Sequence, residues 1–274
     1  MKKILIVGGH GAMGKMIEKF LTPTKQCNIT LFGEDDWQNN THLLAEQDLV
    51  IISVPIHATL ETIERTAKLI SPTTVLADFT SIKQAPLKAM MSAYAGPVLG
   101  LHPIFGPAIS NPANQVIACC DGRMSDQYQW FLGLLTELNF HLEKMTPEQH
   151  DEKMSFVQGV EHFSVFCLGR FLNQKDIKID QLLKLASPVY KMELNIVGRL
   201  FSQSPELYAD IIMSDEERID LVGEFVDLIN KEYKALKENK REGFIESFSE
   251  TSKWMGDFAP KAYTESNAFL TKQK

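Results

Sequence analysis

Residues Lys3–Gly14 read KILIVGGHGAMG, and the fold turns on how this stretch is read. Four apolar residues, Ile4 to Val7, run directly into Gly9-His10-Gly11-Ala12-Met13-Gly14, a G-x-G-x-x-G pattern. Apolar residues then recur at helical spacing as Met16, Ile17, Phe20 and Leu21. Strand, glycine turn and helix in that order form the opening unit of a dinucleotide-binding fold. Gly9 permits the tight turn, Gly11 lets a pyrophosphate approach the backbone, and Gly14 lets the helix lie close to the strand. The helix start, with Ala12 and Met13, offers N–H groups and a positive dipole end to phosphates.

Outward from this unit, short apolar runs alternate with helical patterns. The runs are Ile29–Phe32, Leu49–Val54, Val75–Asp78, Val98–Leu101 and Val116–Cys119; the helical patterns are Ala58–Leu69, Pro86–Tyr94 and Gln127–Leu138. Continuous rather than alternating apolarity is expected of strands covered on both faces. The alternation predicts a doubly wound, mostly parallel sheet of Rossmann type. Residues Trp37–Gln47 are too few for a full helical excursion, so the fold should be abbreviated there. At Thr146-Pro147-Glu148-Gln149 the pattern changes to a helix start with a capping box, and only helices follow. The expected domains are 1–145, dinucleotide-binding, and 146–274, an all-helical substrate-binding and dimerisation domain. Fold class is therefore α/β with a helical C-terminal domain.

The chain carries a formal net charge of −7, which argues against nucleic acid as a partner. No apolar run reaches membrane-spanning length, and with the first strand at Ile4 no signal peptide is expected. Cys27, Cys119, Cys120 and Cys167 lack metal-site spacing and read as reduced residues of a cytoplasmic protein; Cys119 and Cys120 should point to opposite faces of a strand. No metal is expected.

In an open α/β sheet, ligands lie beyond the carboxyl ends of the strands. That rule puts Ser53, Val54 and Pro55 in the cofactor groove, Ser81 and Lys83 at the next strand's edge, and His102 at the edge after that. His102 is followed by a rigid Pro103-Ile104-Phe105-Gly106-Pro107 turn and is a candidate catalytic residue. Glu34, Asp35 and Asp36 lie at the distance from the glycine turn where a carboxylate binds the adenosine ribose, with Asp36 preferred; three acids without an arginine favour NAD over NADP. Gln158 and His162 share a helix face, whereas His150 and Asp151, earlier on that helix, read as exposed or capping. Arg199 sits in an apolar stripe, and a buried arginine needs either a protein acid, such as Glu161 or Glu193, or a ligand carboxylate.

Gly96–Pro103, Val197–Phe201 and Leu207–Met213, with Ile52–Ile56 and Cys120–Arg123, resemble the prephenate dehydrogenases of tyrosine biosynthesis. The likeness is closest to the dehydrogenase part of the bifunctional chorismate mutase–prephenate dehydrogenases (T-proteins). It implies NAD-dependent oxidative decarboxylation of prephenate to 4-hydroxyphenylpyruvate, a homodimer built on the helical domain, and active sites between the domains. By resemblance His102 is the catalytic histidine, Ser81 orients it, and Arg199 holds the ring carboxylate. His162 matches a histidine implicated in feedback inhibition by L-tyrosine, with Tyr208 nearby, and Gln158 matches the enteric type. Lys83 belongs to the serine's motif, and Lys191 stands where close relatives carry arginine, which keeps charge but loses the bidentate fork. The alternatives are an arogenate dehydrogenase, a hydroxy-acid dehydrogenase of the 6-phosphogluconate type, and a non-catalytic NAD-sensing regulator.

Overall fold

In the computed structural model, which describes residues 1–238 and 240–271, the apolar runs become strands because helices cover both of their faces. Strands β1 (Lys2–Val7), β2 (Cys27–Phe32), β3 (Leu49–Ile52), β4 (Val75–Asp78) and β5 (Val98–Pro103) are parallel. β6 (Val116–Arg123) runs antiparallel to β5, and β7 (His141–Lys144) is parallel to β6. The order is β2-β1-β3-β4-β5-β6-β7. The chain steps from β1 to β2 on one side and returns to β3 on the other. The crevice at the carboxyl ends of β1 and β3 is therefore the topological switch point.

Successive strand residues enter opposite cores. Ile4, Ile6, Leu49 and Ile51 pack with Ile17 and Leu21 of α1 (Ala12–Leu21) and with Phe131 and Leu135 further along the chain. Leu5, Val7, Val50 and Ile52 pack with Ile63 of α3 (Ile56–Ala67) and with Leu87 and Met90 of α4 (Gln84–Ala93). Each fully buried aliphatic side chain contributes about 1.5–3 kcal/mol, so one charged residue in these strands would disrupt the core it enters. Cys119 and Cys120 fall into opposite cores, and all four cysteines are free.

Between β2 and β3 the chain forms only α2 (Asp36–Asn39) and a 3-10 segment, Thr41–Glu46, so the fold is abbreviated there as expected. β7 was not expected. His141-Leu142-Glu143-Lys144 lies at the sheet's edge with three polar, exposed residues and only Leu142 turned to the core, and it follows α5 (Gln129–Glu137). β6 also continues past Cys119 through Arg123, with a register shift at Val98/Leu99. A Cβ on Gly122 would stand 2.7 Å from the Val98 carbonyl oxygen, and Arg123 donates to the Tyr94 and Met91 carbonyls at the end of α4.

The capping box is present: the Thr146 hydroxyl accepts from Gln149 N–H and the Gln149 side chain accepts from Thr146 N–H, opening α6 (Pro147–Met154). A π-helical turn, Ser155–Val160, follows. By their contacts the residues form two bodies. One is Met1–Phe156 with Ala209–Ser214; the other is Val157–Tyr208 with the residues from Asp215 onward. By these contacts α6 lies with the sheet, and the division falls in the π-helical turn.

The second body is helical: α7 (Glu161–Gln174), α8 (Ile179–Leu185), α9 (Pro188–Phe201), the start of α10 (Pro205–Ile212), α11 (Glu216–Lys237), α12 (Arg241–Met255) and α13 (Phe258–Thr271). Gly169 of α7 makes room for the Phe201 ring, which stacks on Phe166 at 5.9 Å. Phe244, Phe248, Trp254 and Phe258 are exposed on α12 and α13. Among the described residues no helix is long and apolar enough to cross a membrane.

Candidate active site

The glycine turn is locked to the switch point by close backbone packing. Gly8 has φ +78°, and a Cβ there would overlap the Ser53 carbonyl at the end of β3. A Cβ on Gly9 would stand 2.7 Å from the Ile6 carbonyl oxygen, and one on Gly14 2.5 Å from the Gly9 carbonyl oxygen. Gly11 differs: a Cβ there meets only the Gly8 oxygen, at 3.1 Å, and otherwise open space. Gly11 is the N-cap of α1 and supplies no side-chain cap, so the first N–H groups of the helix, from Ala12 and Met13 on, have no capping side chain. A crowded turn beneath, an open glycine above and an uncapped helix start fit a dinucleotide's pyrophosphate. Ser53, Val54 and Pro55 follow β3 at this crevice.

Of the three acids after β2, Asp36 is held in place. Its carboxylate accepts from Gly33 N–H at 2.7 Å and from the Asn40 amide at 2.6 Å, with His10 Nε2 4.0 Å away. The Gly33 bond first, then Asn40, keeps the carboxyl below its ordinary range and therefore ionised. Glu34 and Asp35 are exposed.

At the end of β5, His102 is buried, and its Nδ1 lies 2.8 Å from Nε2 of His150 on α6. His150 is fully buried, and its Nδ1 lies 2.7 Å from Asp151 Oδ1. Asp151 also accepts Lys83 N–H at 2.7 Å and Gln84 N–H at 2.8 Å, capping α4 from another element. Burial pushes the Asp151 carboxyl up, but the bonds from His150, Gln84 and Lys83 outweigh it and hold the group below its ordinary range. Burial lowers the His150 pKa despite Asp151 beside it. The reading of His150 and Asp151 as exposed or capping is thus corrected: only Asp151 caps, and His150 lies against the sheet edge. The bonded partner of His102 Nδ1 is His150, not Ser81, which stands half-buried after β4.

Lys83 needs a second correction. Instead of reaching outward, its side chain passes over Gly100, and its ammonium, wholly buried, pairs with Asp78 and donates to the Leu101 carbonyl at 2.8 Å. Asp78 also accepts Thr80 N–H at 3.0 Å. A paired, buried ammonium here holds the ends of β4 and β5 together, one residue before His102.

In the helical body, His162 pairs with Glu161, and its ring meets Tyr208 edge-on at 5.0 Å. Gln203, which the sequence reading passed over, donates to the Tyr208 hydroxyl at 2.9 Å and to the Arg199 carbonyl at 3.1 Å. Burial raises the Tyr208 phenol; Arg199 opposes the rise and Glu161 adds to it. Arg199 itself is exposed rather than buried, and among the described residues it forms no ion pair with Glu161 or Glu193. Lys191 is exposed on the same helix. Gln158 lies in the π-helical turn, with its amide oxygen buried and lacking a hydrogen-bond partner.

Two family models match. Residues 22–123 match the nucleotide-binding domain of prephenate dehydrogenase, and residues 146–250 match its dimerization domain. The T-protein of Enterobacter agglomerans is 40% identical over 270 residues, spanning 98% of this chain and 72% of that protein. This chain belongs to the prephenate dehydrogenase family. Among solved structures, a prephenate dehydrogenase from A. aeolicus, in complex with hydroxyphenyl propionate and NAD+, superposes with a TM-score of 0.70 at 17% identity, covering 94% of this chain and 98% of that one. An arogenate dehydrogenase from Synechocystis gives 0.70 at 16%, covering 93% and 99%. As a prephenate dehydrogenase family member the chain is an oxidoreductase with a nucleotide-binding sheet domain.

Proposed function

We propose that this chain converts prephenate to 4-hydroxyphenylpyruvate and carbon dioxide with NAD as oxidant. The observation that carries the reading is His102, held at the carboxyl end of β5 with one ring nitrogen engaged by His150, in a chain related to T-protein along nearly its whole length. Bound on the glycine turn and the start of α1, NAD would supply the oxidant that accepts hydride from the hydroxyl-bearing ring carbon. The ring hydroxyl then gives its proton to His102, at Nε2 because Nδ1 is engaged. Loss of the ring carboxylate as carbon dioxide leaves its electron pair in the ring as a phenolate, which takes the proton back from His102 to give the phenol, and aromatisation drives the step. Gly11 and the start of α1 hold the pyrophosphate, and Asp36, kept ionised, is the proposed ribose ligand that disfavours a 2′-phosphate. Ser81 is a proposed active-site hydroxyl. Arg199 is the proposed ligand of the ring carboxylate, being a guanidinium with no ion pair among the described residues.

Comparing turnover of prephenate and arogenate with NAD tests the reading. Prephenate is expected to be preferred, and equal or faster arogenate turnover would overturn it. Three finer readings accompany it. The exposed apolar residues of α12 and α13, with the dimerization-domain match, support a homodimer, and light scattering should find twice the chain mass. The His162–Tyr208 pair supports L-tyrosine as an inhibitor, and a titration without effect would remove that reading. Four free cysteines support a reducing, cytoplasmic setting.

A further inference from the structure

The catalytic reading needs a histidine whose substrate-side nitrogen carries a lone pair. A neutral imidazole has two tautomers, and only one of them meets that need. We propose that Asp151 and His150 are positioning residues that fix His102 in its base-competent tautomer, through a directed chain of hydrogen bonds; the inference rests on the catalytic reading of His102.

The direction of the chain follows from which group can only accept. Asp151 receives N–H bonds from Lys83 and Gln84 at the start of α4, and a carboxylate facing two backbone donors at a helix N-terminus stays ionised. An ionised carboxylate has no proton to give, so in its 2.7 Å bond with His150 the donor is Nδ1–H of His150. His150 is fully buried and its charged form is disfavoured there, so it carries one ring proton, and Nε2 is an acceptor. In the 2.8 Å bond with His102 the donor must then be Nδ1–H of His102. That assignment puts the lone pair of neutral His102 on Nε2, the atom the mechanism asks to take the hydroxyl proton. The charged groups acting on His150 are Asp151 and Asp78, which favour its cation, and Lys83, which opposes it.

The arrangement also shows why these residue types are needed. A chain running from an anion through a neutral imidazole to a second imidazole has one polarity, so His102 cannot rotate its protonation pattern without leaving a buried donor facing a donor. His150 sits in the first turn of α6, whose start is set by the capping box, so Thr146 and Gln149 fix the height of His150 against β5. Asp151 serves two elements at once, since the carboxylate that orients His150 also caps α4, the helix that begins at the Lys83–Asp78 pair.

Selective 15N-histidine NMR of the full chain, without substrate, reads the tautomer directly. The expected result near neutral pH is a protonated Nδ1 and a pyridine-like Nε2 for His102, assigned by loss of its signals in His102→Asn. A protonated Nε2 would overturn the proposal. This readout is independent of prephenate turnover, so its failure and the failure of the catalytic reading are told apart. Kinetics give a second readout. Gln can accept from His102 Nδ1–H through Oε1 and donate to Asp151 through Nε2, whereas Phe can do neither. His150→Gln should keep kcat within about tenfold of the unchanged chain, and His150→Phe should lower it by about 100-fold or more, since a base held in the wrong tautomer loses up to about 10⁴-fold in a catalytic triad. KM for NAD should not move in either variant. Equal kcat for the two variants, or a rise in the KM for NAD that accounts for the loss, would overturn the proposal. Should His150→Phe fail to fold, the NMR result on the unchanged chain decides.

Discussion

Replacing Gly14 and Gly11 by alanine, one at a time, should separate folding from cofactor binding within a single turn. On Gly14 the new methyl would stand 2.5 Å from the Gly9 carbonyl oxygen and 2.6 Å from Gly9 Cα, both main-chain atoms of the turn. Neither can rotate away, so α1 must lift off the turn. Overpacking costs about 1–3 kcal/mol, and rigid main chain puts this site at the upper end. Alanine in a helix recovers about 1 kcal/mol over glycine. The net loss is about 2 kcal/mol, or about 4–8 °C in Tm for a body of this size. On Gly11 the methyl meets one atom, at 3.1 Å, and the backbone (φ −68°, ψ 167°) suits an L-residue. The entropic gain of about 0.4–1 kcal/mol offsets the poorer N-cap, so Tm should change little. The methyl would, however, occupy the space proposed for the pyrophosphate. Losing one charged hydrogen bond there, about 1.5–3 kcal/mol, should weaken NAD about 10–100-fold. Thermal unfolding and fluorescence titration with NAD read the two effects. Equal Tm values for the two variants, or unchanged NAD binding by Gly11→Ala, would refute this separation.

Lys83→Met should cost about 3–5 kcal/mol in denaturant unfolding because it strands the buried Asp78 carboxylate; a stable variant with only a raised KM for prephenate would instead restore the substrate role first expected of Lys83. Burial holds the folded His150 pKa below its unfolded value near 6.5, so as pH falls through ~6.5 the unfolded chain takes up a proton that the folded chain refuses. Stability should therefore drop with falling pH by up to about 1.4 kcal/mol per pH unit from this group, and His150→Gln should remove that part of the slope; a steeper or equal slope in the variant would contradict the assignment. Arg199→Gln should raise the KM for prephenate about 10–100-fold with a smaller change in kcat, as expected when a charged hydrogen bond to a carboxylate is lost from ground and transition states alike. A fall confined to kcat would move Arg199 from binding to chemistry.

Much of the sheet domain was legible because its signals are local. Val75–Asp78 has the bounds that its apolar run gave, and the Thr146–Gln149 cap formed as its spacing required. Doubly covered strands announce themselves by unbroken apolar runs, and Cys119 and Cys120 separate onto opposite faces by the pleat alone. β7 was not legible because this four-residue edge strand turns only Leu142 to the core, too little for a strand pattern to show. His150 was misread because a histidine in the first turn of a polar helix looks solvated; what buries it is the edge of β5, distant in sequence. Lys83 looked like an edge residue until Gly100 and Asp78 gave its stem a path inward. Arg199 was expected to be buried because its neighbours Val197 and Leu200 are, but one position's rotation around the helix carries it to solvent. In each miss, a partner far along the chain or a helix's rotation decided what local pattern could not.

The most direct test of the central claim is the stoichiometry of the reaction. Purified protein incubated with prephenate and NAD should form NADH, carbon dioxide and 4-hydroxyphenylpyruvate in equimolar amounts. His102→Asn should lose several orders of magnitude in rate while binding NAD unchanged. NADH formation without carbon dioxide, or a fully active His102→Asn, would contradict the account.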